Sequence, residues 1–168
     1  MNKNKIYKLL FLLLPFILAI PFHFLYNIIS FPLLAIYFPI SESVFEHTKL
    51  TFTPFILTYL LFYILFHKKI DKTKFLSSLI ISIGIALVCM LSLYYLFNLF
   101  INKDITILNI LSLLVATILA QCTSIYTYKK DVKWSKEISI YALLTITMIL
   151  LNFTVAPPYL DFFMDFSK

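Results

Sequence analysis

The sequence predicts an all-α, polytopic membrane protein with five transmembrane helices, and three observations lead to this fold class. The 168-residue chain has a mean hydropathy of +0.94. Only 13% of its residues are charged, whereas a soluble domain carries about 25%. Several apolar runs reach the length of about 20 helical residues that a hydrocarbon core requires. We therefore expect one transmembrane helical bundle over 1–168, with spans at roughly 8–29, 49–66, 75–101, 105–127 and 138–155.

The first predicted helix follows a lysine-bearing start and contains the apolar run from Leu9 to Ile20. This arrangement is similar to a secretory signal, but signal cleavage requires small residues in an A-x-A-like pattern. Ala19 is instead followed by Ile20 and Pro21. We expect the segment to be retained as the first transmembrane helix, with His23 one to two turns below its outer end.

The linker before the second helix, 31–40, is apolar but is bracketed by Pro32 and Pro39. It is too short to span a bilayer. We expect it to lie in the interface or to dip back as a re-entrant segment, which is tolerated only where protein covers its backbone. In either case it delivers Glu42 to the outer rim of the bundle.

The last three predicted helices carry a few informative residues. Gly84, close to several serines, predicts a close helix–helix contact in the third span, and Gln121 predicts hydrogen bonding between helices in the fourth. The fifth helix should stop at the run V-A-P-P-Y, 155–159, because paired prolines cannot continue it. We expect the tail beyond, with Asp161 and Asp165, to fold back over the outer rim.

The lysines predict the topology, because short cytoplasmic loops collect positive charge. Eleven of the 14 lysines lie before the first predicted helix, between the second and third, or between the fourth and fifth, and these segments share one side of the membrane. The other three, Lys49, Lys103 and Lys168, lie on the opposite side. This distribution predicts an N-terminus inside and a C-terminus outside. The eleven are Lys3, Lys5, Lys8, Lys68, Lys69, Lys72, Lys74, Lys129, Lys130, Lys133 and Lys136.

Composition also excludes several classes of partner. The net charge of +6 does not indicate nucleic-acid binding. The lysines border helices, arginine is absent, and the sequence contains no motif that recognises a groove of DNA or RNA. With one glycine in the chain, no glycine-rich phosphate loop can form, so we expect no nucleotide. The expected partner is the lipid bilayer, and an oligomer or a protein partner is left open.

Almost all the remaining polar residues lie on the predicted outer side. The run I-S-E-S-V-F-E-H-T-K, 40–49, packs two carboxylates, a histidine and a lysine into eight positions where the second helix begins. An ionisable side chain within a span is costly to bury unless it meets a partner or a cavity. We therefore take as candidate ligand-binding or metal-ligating residues His23, Glu42, Glu46 and His47. Supporting residues are Ser43, Lys49, Asp161 and Asp165, and no catalytic residue is assigned.

Two local geometries for this run are open. Ser43 followed three residues later by Glu46 fits a capping box, in which both side chains bond free backbone N–H groups at a helix start. If the helix instead begins near Ser41, Glu42 and Glu46 stand four residues apart, and Lys49 completes one stripe of the helix. The first geometry is structural. The second forms a surface ion pair with a snorkelling lysine, or half of a binding site that His23 completes.

These residues carry a resemblance to a known family. The run from His23 through 40–49, together with F-T-V-A-P-P at 153–158, resembles an uncharacterised family of small bacterial membrane proteins. Its signature is similar to Asn-Glu-Ser-Val-Trp-Glu-His-x-Lys, with Ser41 and Phe45 as departures here. The family is a domain of unknown function, so the resemblance implies where a site lies and not its chemistry. The matching positions are Glu42, Ser43, Val44, Glu46, His47 and Lys49.

Three functions from different classes are compatible with this pattern. In the first hypothesis, the outward-facing Glu/His/Lys site binds a cation, a metal or a lipid head group, since carboxylates and imidazoles are suitable ligands for a divalent metal and Lys49 could hold an anionic head group. The spacing lacks H-E-x-x-H, the pattern typical of zinc proteases. A second hypothesis is a membrane-embedded hydrolase or transferase at the outer rim. A third is a structural or accessory subunit whose cluster only caps a helix, so the sequence does not decide whether the protein is an enzyme.

Overall fold

The computed structural model describes residues 3–101 and 106–165, and within these ranges the regular structure is entirely helical. Lys103 and Lys168 lie outside the described residues. Three short 3₁₀ helices cover Pro32–Ile36, Lys49–Thr51 and Asp161–Phe163. The α-helices are α1 (Lys3–Ile28), α2 (Val44–Thr48), α3 (Thr53–Phe66), α4 (Lys72–Ile101), α5 (Thr106–Lys129) and α6 (Lys136–Val155).

Within the described residues, five helical stretches are long and apolar enough to cross a membrane, as the sequence predicts. The chain is therefore consistent with a multi-pass membrane protein. Four of the observed stretches begin two to five residues before the predicted ones, and the fourth along the chain begins one residue later. The five-residue difference belongs to the second stretch, because α2 precedes the second predicted span. The five stretches cover Lys5–Ile28, Val44–Phe66, Lys72–Phe100, Thr106–Lys129 and Lys136–Val155.

The second stretch is interrupted rather than continuous. It begins at Ser43, whose side-chain oxygen accepts a hydrogen bond from the Glu46 N–H at 3.3 Å and so caps α2. After α2 the chain tightens into the 3₁₀ turn and restarts as α3 at Thr53. Pro54 sits in the first turn of α3, where its missing N–H costs nothing, whereas an unbroken helix through it would lose a backbone hydrogen bond.

The pair α4 and α5 makes the most extensive helix contact in the described chain. Both helices bury small side chains spaced four residues apart, which allows their backbones to approach closely. The expectation that Gly84 marks this contact is wrong, because Gly84 is exposed and no atom outside its own helix would lie within 4 Å of an added Cβ. The buried small residues are Ser78, Ser82 and Ala86 on α4, and Ser112, Ala116, Ala120 and Ser124 on α5.

A buried polar network crosses the bundle at α5. Pro15 lies inside α1 and has no N–H, so the carbonyl of Phe11 loses its helical partner. The Gln121 amide Nε2 donates to that carbonyl at 2.9 Å. The Tyr59 hydroxyl lies within hydrogen-bonding reach of Gln121 and Ser124, both on α5. The expected role of Gln121 as an interhelical hydrogen-bonding group is thus confirmed.

The two ends of the bundle differ in character. His23 and Lys8 are both on α1, and their 15-residue separation corresponds to about 22 Å along a helix. The end near His23, which also holds α2, is called the histidine end. The opposite end, which holds Lys8 and the α3–α4 and α5–α6 loops, is called the lysine end. The C-terminal tail lies at the histidine end, where Phe163 packs against Phe45 with ring centroids 4.9 Å apart.

Candidate functional site

Three of the predicted site residues converge at the histidine end. Glu42 lies between two imidazoles: its Oε1 is 3.5 Å from His23 Nε2, and its Oε2 is 3.4 Å from His47 Nε2. The two rings lie 5.1 Å apart, centroid to centroid. Each residue offers one potential metal-ligating atom, and these atoms all lie within 4.8 Å of one another. We call His23, Glu42 and His47 the triad. It takes one residue from α1, one from the bend before α2 and one from α2.

The helix start determines the orientation of His47. Its Nδ1 lies 2.8 Å from the carbonyl oxygen of Ser43, the residue that caps α2. A carbonyl oxygen can only accept a hydrogen bond, so Nδ1 must carry a proton. In the neutral imidazole, Nε2 is then an unprotonated acceptor, and it faces the Glu42 carboxylate. Two acceptors at this distance require a proton or a cation between them.

His23 has one nitrogen with no protein partner. Its Nδ1 is buried and makes no hydrogen bond within the described part of the chain. Its Nε2 faces Glu42, and 22% of the side chain is exposed. A buried polar atom without a partner costs free energy, and such atoms are uncommon in folded proteins. The ring is therefore held by packing and by the charged group in front of it.

Glu42 is the most accessible member of the triad, with half of its side chain exposed. Its backbone N–H donates to the Asp165 Oδ2 at 3.2 Å, although 123 residues separate the two. The tail therefore folds over the histidine end and helps to fix the position of Glu42. Asp161 is exposed and is not part of the group formed by His23, Glu42 and His47.

Glu46 and Lys49 form a second, separate group. Their side chains are almost completely buried, and Lys49 Nζ lies 2.5 Å from Glu46 Oε2. Lys49 also donates to the Ala35 carbonyl at 2.7 Å, and the Ile40 N–H donates to Glu46 at 2.9 Å. This ion pair fastens the 31–40 linker to the start of the second span.

Of the two local geometries, the structure contains a modified form of the capping box. Ser43 caps α2 as expected, but the Glu46 carboxylate reaches back to Ile40 rather than to the cap residue. The stripe of Glu42, Glu46 and Lys49 is wrong, because Glu42 lies before the helix. The surface ion pair and the snorkelling lysine are also wrong, because the Lys49 side chain is 0% exposed.

The full length of the chain, residues 1–168, matches one family model, described as Family of unknown function (DUF6512). The chain belongs to the DUF6512 family. No curated protein and no solved structure matches it. The expectation of membership in a family of unknown function is thus confirmed.

The chemistry of the triad follows from its donor atoms. In a tetrahedral zinc site with bonds of about 2.0–2.1 Å, neighbouring ligand atoms lie about 3.3 Å apart. The separations of 3.5 and 3.4 Å involve the two different oxygens of Glu42, and one ligand atom from each residue lies within 4.8 Å of the others, so the three side chains would have to move closer together to hold such an ion. The His47–Ser43 contact is the type of outer hydrogen bond that presents Nε2 to a metal. In this DUF6512 protein, His23, Glu42 and His47 are the grouped residues of the described chain that could ligate a divalent metal ion.

Proposed function

We propose that this DUF6512 protein is a multi-pass protein of the bacterial plasma membrane that binds a divalent transition-metal ion, of the zinc class, through His23, Glu42 and His47. The observation that carries the proposal is the approach of two imidazole Nε2 atoms to the two oxygens of one carboxylate. Two histidines and one glutamate are a donor set that proteins use for zinc. A bound cation would also remove the unfavourable contact between the neutral His47 and Glu42.

A lipid head group, which the sequence pattern also allows as the ligand of this site, is less well supported than a metal ion. An anionic head group needs an accessible cation, and the lysine expected to provide it is Lys49. That lysine is buried and already pairs with Glu46. Glu42, the most exposed member of the triad, carries a negative charge that would repel a phosphate. The electrostatics of the described site residues therefore favour a cation.

The lysines support the orientation in this proposal. Lys8, Lys69 and Lys129 lie at the lysine end, and short loops with lysines remain in the cytoplasm. The triad at the histidine end would then face the extracytoplasmic side. A site there is positioned to take up metal from outside the cell or to act on molecules of the envelope.

A hydrolase is the second candidate, and one observation favours it. Three protein ligands leave the fourth position of a tetrahedral ion open, and Glu42 is half exposed, so that water or a substrate can reach the ion. Such sites activate a bound water molecule. This candidate requires the metal site first, so metal binding is the property to test before any reaction.

The test is metal content after loading with zinc. The protein is purified in detergent without metal, incubated with zinc sulfate, separated from free ion by gel filtration, and analysed by plasma mass spectrometry. We expect about one zinc per wild-type chain. His23→Ala, Glu42→Gln and His47→Ala should each lower the zinc content. The matched control is His67→Ala, which removes the third histidine of the chain from the lysine end.

A wild-type zinc content no higher than that of the His23→Ala, His47→Ala double variant would refute the proposal. Thermal unfolding of the metal-free variants separates the structural hypothesis from the metal site. If the cluster serves only to hold the helix start, the triad variants will unfold at lower temperature in the absence of zinc, and zinc will not stabilise the wild type. If it is a metal site, zinc will raise the unfolding temperature of the wild type alone.

A further inference from the structure

The lysine end contains a cavity of about 480 Å³, on the opposite side of the bundle from the triad. It lies among α1, α3, α4 and α5. This volume is within the range of about 300–1,000 Å³ that is typical of small-molecule sites. The sequence does not reveal this cavity, because its lining residues come from four helices and the α3–α4 loop.

The interior of the cavity is apolar and rich in aromatic side chains. Its wall includes Phe11, Phe62, Phe66, Phe75 and Ile125. Several of these rings pack on one another, as in the pair Phe11 and Phe62 with centroids 4.8 Å apart. An apolar wall of this kind favours a hydrocarbon chain over a fully hydrated ligand.

The rim of the cavity is positively charged. Lys8 of α1, Lys69 of the α3–α4 loop and Lys129 at the end of α5 all line it and are exposed. The described lining residues include no carboxylate. The nearest acidic groups along the chain, Asp71 and Asp131, are instead paired with Lys74. The lining of the cavity therefore carries a net positive charge from three lysines.

We propose that this cavity binds one anionic phospholipid, with its phosphate among Lys8, Lys69 and Lys129 and an acyl chain against the aromatic wall. Two features point to this occupant: the charge of the rim and the apolar interior directly beneath it. Basic pockets between transmembrane helices on the cytoplasmic side are a known way of holding lipid head groups. The inference is independent of the metal proposal, because no residue is shared between the two sites.

The test compares lipid retention by native mass spectrometry of the detergent-purified protein, supplied with equal amounts of phosphatidylglycerol and phosphatidylcholine. The wild type should retain phosphatidylglycerol selectively. A Lys8→Gln, Lys69→Gln, Lys129→Gln variant should lose on the order of 100-fold in affinity, since each lysine near a lipid phosphate contributes about a factor of five. Ile125→Trp, which fills the cavity but keeps every charge, should also lose the lipid.

The matched control is a Lys68→Gln, Lys72→Gln, Lys130→Gln variant, which removes the same charge from exposed lysines at the same end but outside the cavity. It should retain phosphatidylglycerol as the wild type does. Equal losses in the two triple variants would show that surface charge alone attracts the lipid. That result, normal retention by Ile125→Trp, or no preference for phosphatidylglycerol in the wild type would overturn the proposal. Unfolding temperatures in neutral detergent identify any variant that is merely misfolded.

Discussion

The Nδ1 atom of His47 lies 2.8 Å from the carbonyl oxygen of Ser43, the residue that caps the same short helix. One residue thus begins the helix and also orients a side chain of the candidate site. The Ser43 hydroxyl accepts from Glu46, while its carbonyl accepts from the His47 ring. The orientation of the imidazole is therefore a consequence of how α2 begins.

This contact predicts the tautomer of His47. In the metal-free protein, the neutral ring should carry its proton on Nδ1, because the Ser43 carbonyl oxygen lies at 2.8 Å from Nδ1, whereas the other acceptor, the Glu42 carboxylate, lies at 3.4 Å from Nε2. Nitrogen-15 NMR of histidine-labelled protein in micelles distinguishes the two tautomers, and His47→Ala identifies the resonance. A neutral His47 ring protonated at Nε2 would contradict the prediction. Zinc should then shift the Nε2 resonance and leave the Nδ1 proton in place.

Glu46 and Lys49 predict a large stability effect with little effect on metal binding. Glu46→Gln should lower the free energy of unfolding by roughly 3–5 kcal/mol, because it leaves the buried Lys49 ammonium without its counterion. Replacing both residues by methionine should cost less than either single change. Denaturant unfolding measures these differences.

The folded fraction of Glu46→Gln should still bind zinc, since Glu46 is not part of the triad. Zinc content should be compared at a temperature where the wild type and Glu46→Gln have the same circular dichroism. Loss of zinc from the variant under that condition would place Glu46 among the metal ligands. Glu42→Gln is the matched comparison: it should lose zinc with little change in stability, because the Glu42 side chain is half exposed.

Pro15 and Gln121 should be energetically coupled. Gln121→Leu leaves the Phe11 carbonyl, which Pro15 deprives of its helical N–H, without a partner, and should cost about 1–2 kcal/mol. Pro15→Ala restores that N–H. In the Pro15→Ala background, Gln121→Leu should therefore cost clearly less, and a double-mutant cycle measures the difference. Additive costs would show that Gln121 stabilises the bundle in another way.

Asp131 provides a prediction about pH. Its hydrogen bond with Lys74, together with the positive charge of that lysine, holds the pKa of Asp131 below its ordinary value. A lowered folded-state pKa means that the ion pair stabilises the fold above the pKa of the unfolded chain, and that this contribution disappears as pH falls through the folded pKa. Because Asp131 is fully exposed, the effect should be small.

A carboxyl carbon-13 titration tests this directly. Asp131 should titrate at lower pH than a free aspartate, and Lys74→Gln should return it towards the ordinary value. Lys133→Gln is a useful control, since Lys133 makes only a minor contribution to the same shift. An unchanged Asp131 titration in Lys74→Gln would rule out the ion pair as the cause.

Several features could be predicted from single residues and their neighbours along the chain. The Ser43 cap follows from a serine three residues before a glutamate, because a capping side chain bonds only to its own helix. The role of Gln121 follows from the cost of leaving a polar amide unpaired in a span. The predicted helix–helix contact at Gly84 is wrong, because a small residue permits a close contact without showing which face of the helix is buried.

The sequence by itself determined the helical class and the five spanning-length helices, because length and apolarity are properties of continuous segments. It also determined the residues from which the site is chosen. Only the tertiary structure decided how they divide: His23, Glu42 and His47 meet at an accessible rim, while Glu46 and Lys49 pair in the interior. The physical reason is that the path of the 31–40 linker, and not residue spacing, brings α1 against α2 and covers Lys49.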